Sequence, residues 1–139
     1  MNTGRSRCVI LADRHWVLTE GIRGLLESTF QTVYAVADAA SLREGALRLS
    51  PVLIVLDLSL VGSDSIHLLE EIRETSPATP VIVLSVHDQA AVAQLALTSG
   101  ARGVVIKRSI GSDLLPAIDA VLNGEEYVSP DFNLLAATR

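Results

Sequence analysis

Between Pro51 and Asp57 the chain runs through five aliphatic residues, Val52-Leu53-Ile54-Val55-Leu56, without a polar interruption. Five residues is shorter than a typical globular helix, and a run with no polar side has no face to offer solvent. Such a segment reads as a strand buried on both faces, in the middle of a parallel sheet. An aspartate closing that strand either caps the next loop or is a reactive group held at the sheet edge. The segment alone leaves both readings open.

With 139 residues the chain is one domain's worth and can bury a substantial core without staples. Hydrophobic residues make up 49%, which argues against disorder, yet no apolar run approaches the roughly 20 residues needed to span a bilayer. Met1 to Arg7 is polar, and the apolar stretch from Cys8 to Ala12 is too short for a secretory signal, so a soluble, cytoplasmic protein is expected. Cys8 is the only cysteine, which excludes an internal disulfide framework and a cysteine-based metal cluster. A net charge of −5 makes this portion a poor binder of nucleic acid by itself. Of eleven basic residues only Lys107 is lysine, a choice that suits a site needing a compact, mobile ammonium.

Periodicity predicts five strands, each followed by a helix. Cys8–Ala12 is the first strand; Leu18, Ile22, Leu25, Leu26 and Thr29 then recur at helical spacing. Thr32 to Ala37 is a weaker, edge-like strand. Ser41-Leu42-Arg43-Glu44 has capping-box spacing and opens a second helix that Ser50-Pro51 closes. After the central strand, Gly62-Ser63-Asp64 turns into a helix with Ile66, Leu68, Leu69 and Ile72 inward, ended by Ser76-Pro77. Pro80 to Leu84 is a second doubly buried strand, stopping at Ser85. Asp88 is placed to cap the helix Ala90 to Leu97, which carries no charge, and Gly100 to end it. Gly103–Ile106 stops at Lys107. Ser112-Asp113 open a last helix with Leu114, Leu115, Ile118, Val121 and Leu122 on one face and Pro116 near its first turn, and Asn123-Gly124 stops it.

Alternating strands and helices with right-handed crossovers give an α/β fold, a five-stranded parallel sheet with helices on both faces. The thin second and fifth strands belong at the edges, which agrees with the doubly wound order 2-1-3-4-5. Ligands of such folds bind beyond the strand C-termini. That edge collects Asp13, Asp57, Ser85 and Lys107: two carboxylates, a hydroxyl and an ammonium. Each has a structural explanation on its own, but the four together suit phosphoryl transfer to a carboxylate. Asp57 would be the nucleophile. Asp13 would help hold Mg²⁺, a hard ion that takes oxygen ligands. Lys107 and Ser85 would stabilise phosphoryl oxygens.

Over Cys8 to Asn123 these features resemble the receiver domain of two-component response regulators, within it the LuxR/NarL/FixJ type. Asp13-Arg14-His15 stands where the family's first strand ends in an Asp-Asp-His triplet. Asp57-Leu58-Ser59-Leu60 is similar to the phosphoacceptor motif, and Ser99 to Lys107 to the run into the family's lysine. The resemblance implies a doubly wound, flavodoxin/CheY-like (βα)5 fold and a non-enzymatic signalling role. Asp57 is then the phosphoacceptor, served by Lys107 and Ser85. The metal set is Asp13, Asp57 and the backbone carbonyl of Ser59. A sensor histidine kinase is the implied phosphodonor, homodimerisation the implied response and transcription the implied output. DNA would be reached only through an output domain outside these residues. The boundaries expected are a flexible tail at 1–7, a receiver at 8–123 and a linker at 124–139, since Asn123 to Pro130 is similar to the subfamily's linker.

Several positions depart from the family pattern. Arg14 replaces the second acid; at about 5 Å and an effective dielectric of about 20 each charge pair is worth about 3 kcal/mol, so Mg²⁺ affinity is expected to suffer unless Arg14 swings out. An alternative is a phosphorylation-independent pseudo-receiver in which Arg14 pairs with Asp57. Val104 stands where an aromatic is common, Val61 and Ser65 where Pro and Gly are, and Arg108 follows the lysine where Pro or Asp is usual. His15, His67 and His87 have no metal-ligand spacing, and His15 and His87 are expected as loop residues near the site mouth, with Trp16 packing at the start of the first helix. A dehalogenase-type phosphatase would need an acid where Ser59 stands, and a flavodoxin-like carrier a hydroxyl-rich loop where Asp13-Arg14-His15 stands.

Overall fold

The computed structural model describes residues 7–60 and 62–132, with the side chains of 16–19 and 63 outside that description. The readings made for most of the N-terminal tail, for Val61, for the packing of Trp16 and for 133–139 therefore lie outside the described residues. The elements run β1 (Cys8–Ala12), α1 (Trp16–Glu27), β2 (Thr32–Val36), α2 (Ala39–Arg48), β3 (Leu53–Asp57), α3 (Ser65–Thr75), β4 (Val81–Ser85), α4 (Ala90–Thr98), β5 (Gly103–Ile106), α5 (Ile110–Leu122) and β6 (Tyr127–Val128). All strand pairs are parallel, and the sheet order is β2-β1-β3-β4-β5-β6.

Every residue of β1, β3, β4 and β5 is buried, as an uninterrupted apolar run between two helical layers must be. Alternation along each strand divides the core. Ile54 and Leu56 face a cluster with Leu42 of α2, Leu68, Leu69 and Ile72 of α3, and Ala93 and Ala96 of α4. Leu53 and Val55 face the other cluster, built with Ile22 and Leu26 of α1 and Leu114, Ala117, Ile118 and Val121 of α5. The buried face of α4 is made of the small residues Ala93 and Ala96. No helix among the described residues is long and apolar enough to cross a membrane.

The five expected strands and their order are present, and a sixth is added. β6 pairs with β5, so β5 is interior and only β2 keeps an edge from the expected pair. The residues that follow are held as well. Ser129 Oγ accepts the Ile106 N–H and donates to Asp113 Oδ2, and Phe132 is buried against the core. Residues 124–132 thus pack as part of the domain, although the sequence reads them as linker. At the other end Arg7, read as tail, donates to the Thr29 carbonyl and lies over the Phe30 ring.

Three helix starts also differ. Asp38, not Ser41, caps α2, accepting the Ser41 N–H. The N-cap of α4 is Gln89, while Asp88 accepts from Arg108. α5 begins at Ile110, directly after a 3-10 turn over Lys107–Ser109, which places Pro116 mid-helix. Leu115 and Leu122, expected inward, are exposed because the inner face follows Leu114, Ala117, Ile118 and Val121.

Candidate functional site

Asp13 and Asp57 leave adjacent strands at the same edge, and both carboxylates are fixed by the backbone two residues on. His15 N–H donates to Asp13 Oδ1 at 2.8 Å, and Ser59 N–H donates to Asp57 Oδ1 at 3.1 Å. The Ser59 hydroxyl adds a 2.7 Å bond to Asp57 Oδ2. Lys107, arriving at the end of β5, places its ammonium 3.2 Å from Asp57 Oδ2 and 3.3 Å from Asp13 Oδ2. Both aspartates and the ammonium are buried, so these attractions are little screened.

The surroundings treat the two carboxyls differently. Burial pushes Asp13 above the ordinary aspartate range, opposed by the His15 amide and by Lys107 and reinforced by Asp57. Burial pulls Asp57 upward too, but the hydroxyl and amide of Ser59, then Lys107, outweigh it and hold Asp57 below that range. Asp57 is therefore the more acidic member of the pair.

Asp13, Asp57 and Lys107 meet as the sequence suggests. Ser85, also expected there, lies buried at the end of β4 with its hydroxyl turned onto the backbone of His87, whose N–H it accepts and whose carbonyl it donates to. Arg14 is exposed, and Asp57 is met by Lys107 and His15 instead, which removes the pairing on which the pseudo-receiver alternative stood. His15, expected as a plain loop residue, brings Nδ1 to 3.3 Å from Asp57 Oδ2 and 3.5 Å from Asp13 Oδ1. Its position after Asp13 was the only signal for this. Ser65 is buried and its hydroxyl donates to the carbonyls of Leu58 and Gly62, so a side chain here braces the loop after Asp57. Gly62 turns that loop with φ +61°, a conformation that suits glycine.

The donors fit a divalent cation. Asp13, His15 and Asp57 each offer one ligand atom within 4.8 Å of the others, and Asp13 Oδ2 is buried with the Lys107 ammonium as its ion-pair partner and accepts no hydrogen bond. With Arg14 outside, the carboxylates are two.

Comparison with known proteins agrees with this arrangement. A family model of the response regulator receiver domain matches residues 9–119, and the chain belongs to that family. The Fimbriae Z protein of Salmonella typhimurium is 33% identical over 135 residues, covering 94% of this chain and 64% of that protein. The glycerol metabolism activator of Pseudomonas putida is 32% identical over 130 residues, covering 88% and 57%. The chain thus spans about three fifths of the length of these curated relatives. A LuxR-family two-component response regulator from Aurantimonas sp. SI85-9A1 superposes with a TM-score of 0.84 at 31% identity, covering 94% of this chain and 95% of that one. The isolated receiver domain of RcsB from Salmonella enterica serovar Typhimurium gives 0.82 at 27% identity, with 94% and 98% covered. The chain is a receiver domain of the LuxR/NarL type.

Proposed function

We propose that Asp57 accepts a phosphoryl group from the phosphohistidine of a sensor kinase and that the acyl phosphate so formed controls an output, transcription in the family's usual case. The observation that carries this reading is the buried Lys107 ammonium beside an Asp57 carboxylate held ionised. An Asp57 oxygen attacks phosphorus, a new O–P bond forms, and the P–N bond to the donor imidazole breaks with its electron pair leaving on nitrogen. Lys107 neutralises charge on the phosphoryl oxygens, and the Ser59 amide keeps the other carboxylate oxygen in place. Ser85 leaves the His87 backbone to donate to a phosphoryl oxygen. A divalent cation, Mg²⁺ in most of the family, held by Asp13, Asp57 and the Ser59 carbonyl supplies further charge neutralisation when bound.

The new charge at Asp57 shifts the surface of α4, β5 and α5, which governs pairing with a second copy. RcsB, a structural neighbour, has been seen as dimers bound to DNA. For this chain, DNA contact through an output domain beyond these residues is the corresponding proposal. The test is incubation with acetyl phosphate and a divalent cation, followed by peptide mass mapping. A single adduct on the peptide holding Asp57, absent from Asp57→Asn, is the expected result; an unmodified wild type overturns the reading.

A further inference from the structure

Lys107 opens the 3-10 turn that joins the last residue of β5 to the first of α5, and that turn is gripped from beyond α5. The pairing of β6 ends at Val128, opposite Val104, and from there the Ser129 hydroxyl replaces the ladder. Its Oγ accepts the Ile106 N–H at 3.1 Å and donates to Asp113 Oδ2, in the first turn of α5, at 2.7 Å. One fully buried hydroxyl thus joins the residue before the turn to the helix after it. Ser109, the turn's last residue, donates its own hydroxyl to Asp131 Oδ2 at 2.7 Å. Ser129 is fixed in turn: its N–H meets the Val104 carbonyl, and its carbonyl accepts from the N–H of the buried Phe132.

We propose that Ser129 and Asp131 are positioning residues for Lys107, clamping both ends of the turn that carries its ammonium to Asp57. The proposal rests on the phosphoacceptor reading and adds to it residues that touch neither carboxylate of the site. Phosphoryl transfer relies on positioning and charge, and groups that do such work must be held within about 0.5 Å. Lysine meets that demand poorly by itself, because its four-carbon stem is flexible and loses rotamer freedom when its head is fixed. The Lys107 head is nonetheless fixed, 3.2 Å from Asp57 Oδ2 and 3.3 Å from Asp13 Oδ2. A backbone that drifted at position 107 would add to the freedom the two ion pairs must overcome. The clamp removes that drift, so residues outside the five strand-helix repeats take part in setting the site.

The test uses the full chain. Lys107 is its one lysine, so nitrogen NMR of isotope-labelled lysine reads that ammonium as a single side-chain resonance. Ser129→Ala and Asp131→Ala are each expected to move it. At saturating acetyl phosphate with a divalent cation, the initial rate of Asp57 labelling is expected to fall at least about fivefold in Ser129→Ala. In Asp131→Ala, whose bond is exposed, the fall is expected to be about twofold. Ile22→Val, a core truncation on α1 that involves none of these bonds, is expected to change neither reading, which separates the clamp from a general loss of stability. Asp131 lies at the surface, so Asp131→Ala decides the matter should Ser129→Ala fail to fold. A Lys107 resonance that stays put in the folded variants, or that Ile22→Val moves as far, overturns the proposal. So does a labelling rate that matches the wild type in both variants. A wild type left unlabelled overturns the phosphoacceptor reading alone, because the Lys107 resonance still reports the clamp.

Discussion

The Lys107 ammonium stands 3.2 Å from Asp57 Oδ2, with 6% of its side chain exposed. It is also the chain's one lysine, and it is shared with Asp13. A single cation thus keeps two neighbouring carboxyls compatible with burial, with Asp57 the more acidic of the two.

Removing that cation leaves two buried carboxyls held only by their contacts from His15 and Ser59. Lys107→Met is expected to lower stability by about 3 kcal/mol near neutral pH. Without the ammonium the carboxyls take up protons more readily, so the deficit should shrink as the pH is lowered toward 5. Denaturant titrations at both pH values check the sign.

Ser59 holds Asp57 through both hydroxyl and amide, and Ser59→Ala removes only the hydroxyl bond. Loss of a hydrogen bond to a charged group costs about 1.5–3 kcal/mol where it is buried, and the group's titration should shift. The expected outcome is an Asp57 carboxyl carbon that titrates at higher pH in the variant, followed by carbon NMR.

Ser129 is fully buried and ties the residues after α5 to the strand that ends beside Lys107. Ser129→Ala leaves the Ile106 N–H and the Asp113 carboxylate without this partner. A loss of about 2 kcal/mol is expected, with faster amide exchange at Ile106 and over 127–132. Unchanged exchange there would mean that β6 is held by its strand pairing alone.

Asp38 caps α2, and its hydrogen bonds from Ser41 hold its carboxyl below the ordinary aspartate range. A group whose folded-state pKa is depressed stabilises above its unfolded value and loses that contribution as pH falls through the folded one. Asp38→Ala should therefore lower Tm near pH 7, and the difference should fade in acid. Melting curves at the two pH values decide it.

The doubly buried strands were legible because apolar runs and their end points need only local pattern, and those end points carried Asp13, Asp57 and Lys107 to one edge. What escaped depends on contacts far apart in sequence. β6 is two half-buried residues without periodicity, recognisable only by its pairing with β5. Asp113, read as a helix opener, is drawn inward by Ser129 sixteen positions away. His15 reaches Asp57 across 42 positions, and only its place two residues after Asp13 hints at that contact. Arg14, beside it, points its charge to solvent, where hydration is cheaper than sharing a buried site with Lys107. Ser85's hydroxyl is taken up by the backbone of His87.

The central claim is that Asp57 itself becomes an acyl phosphate. Borohydride reduces an aspartyl phosphate to homoserine, which fixes the position of the modification covalently. After treatment with acetyl phosphate and a divalent cation, sequencing of the peptide by mass spectrometry should find homoserine at position 57 in the wild type and far less in Lys107→Met. Aspartate left intact at position 57 in the wild type, or homoserine at another position, would contradict the account.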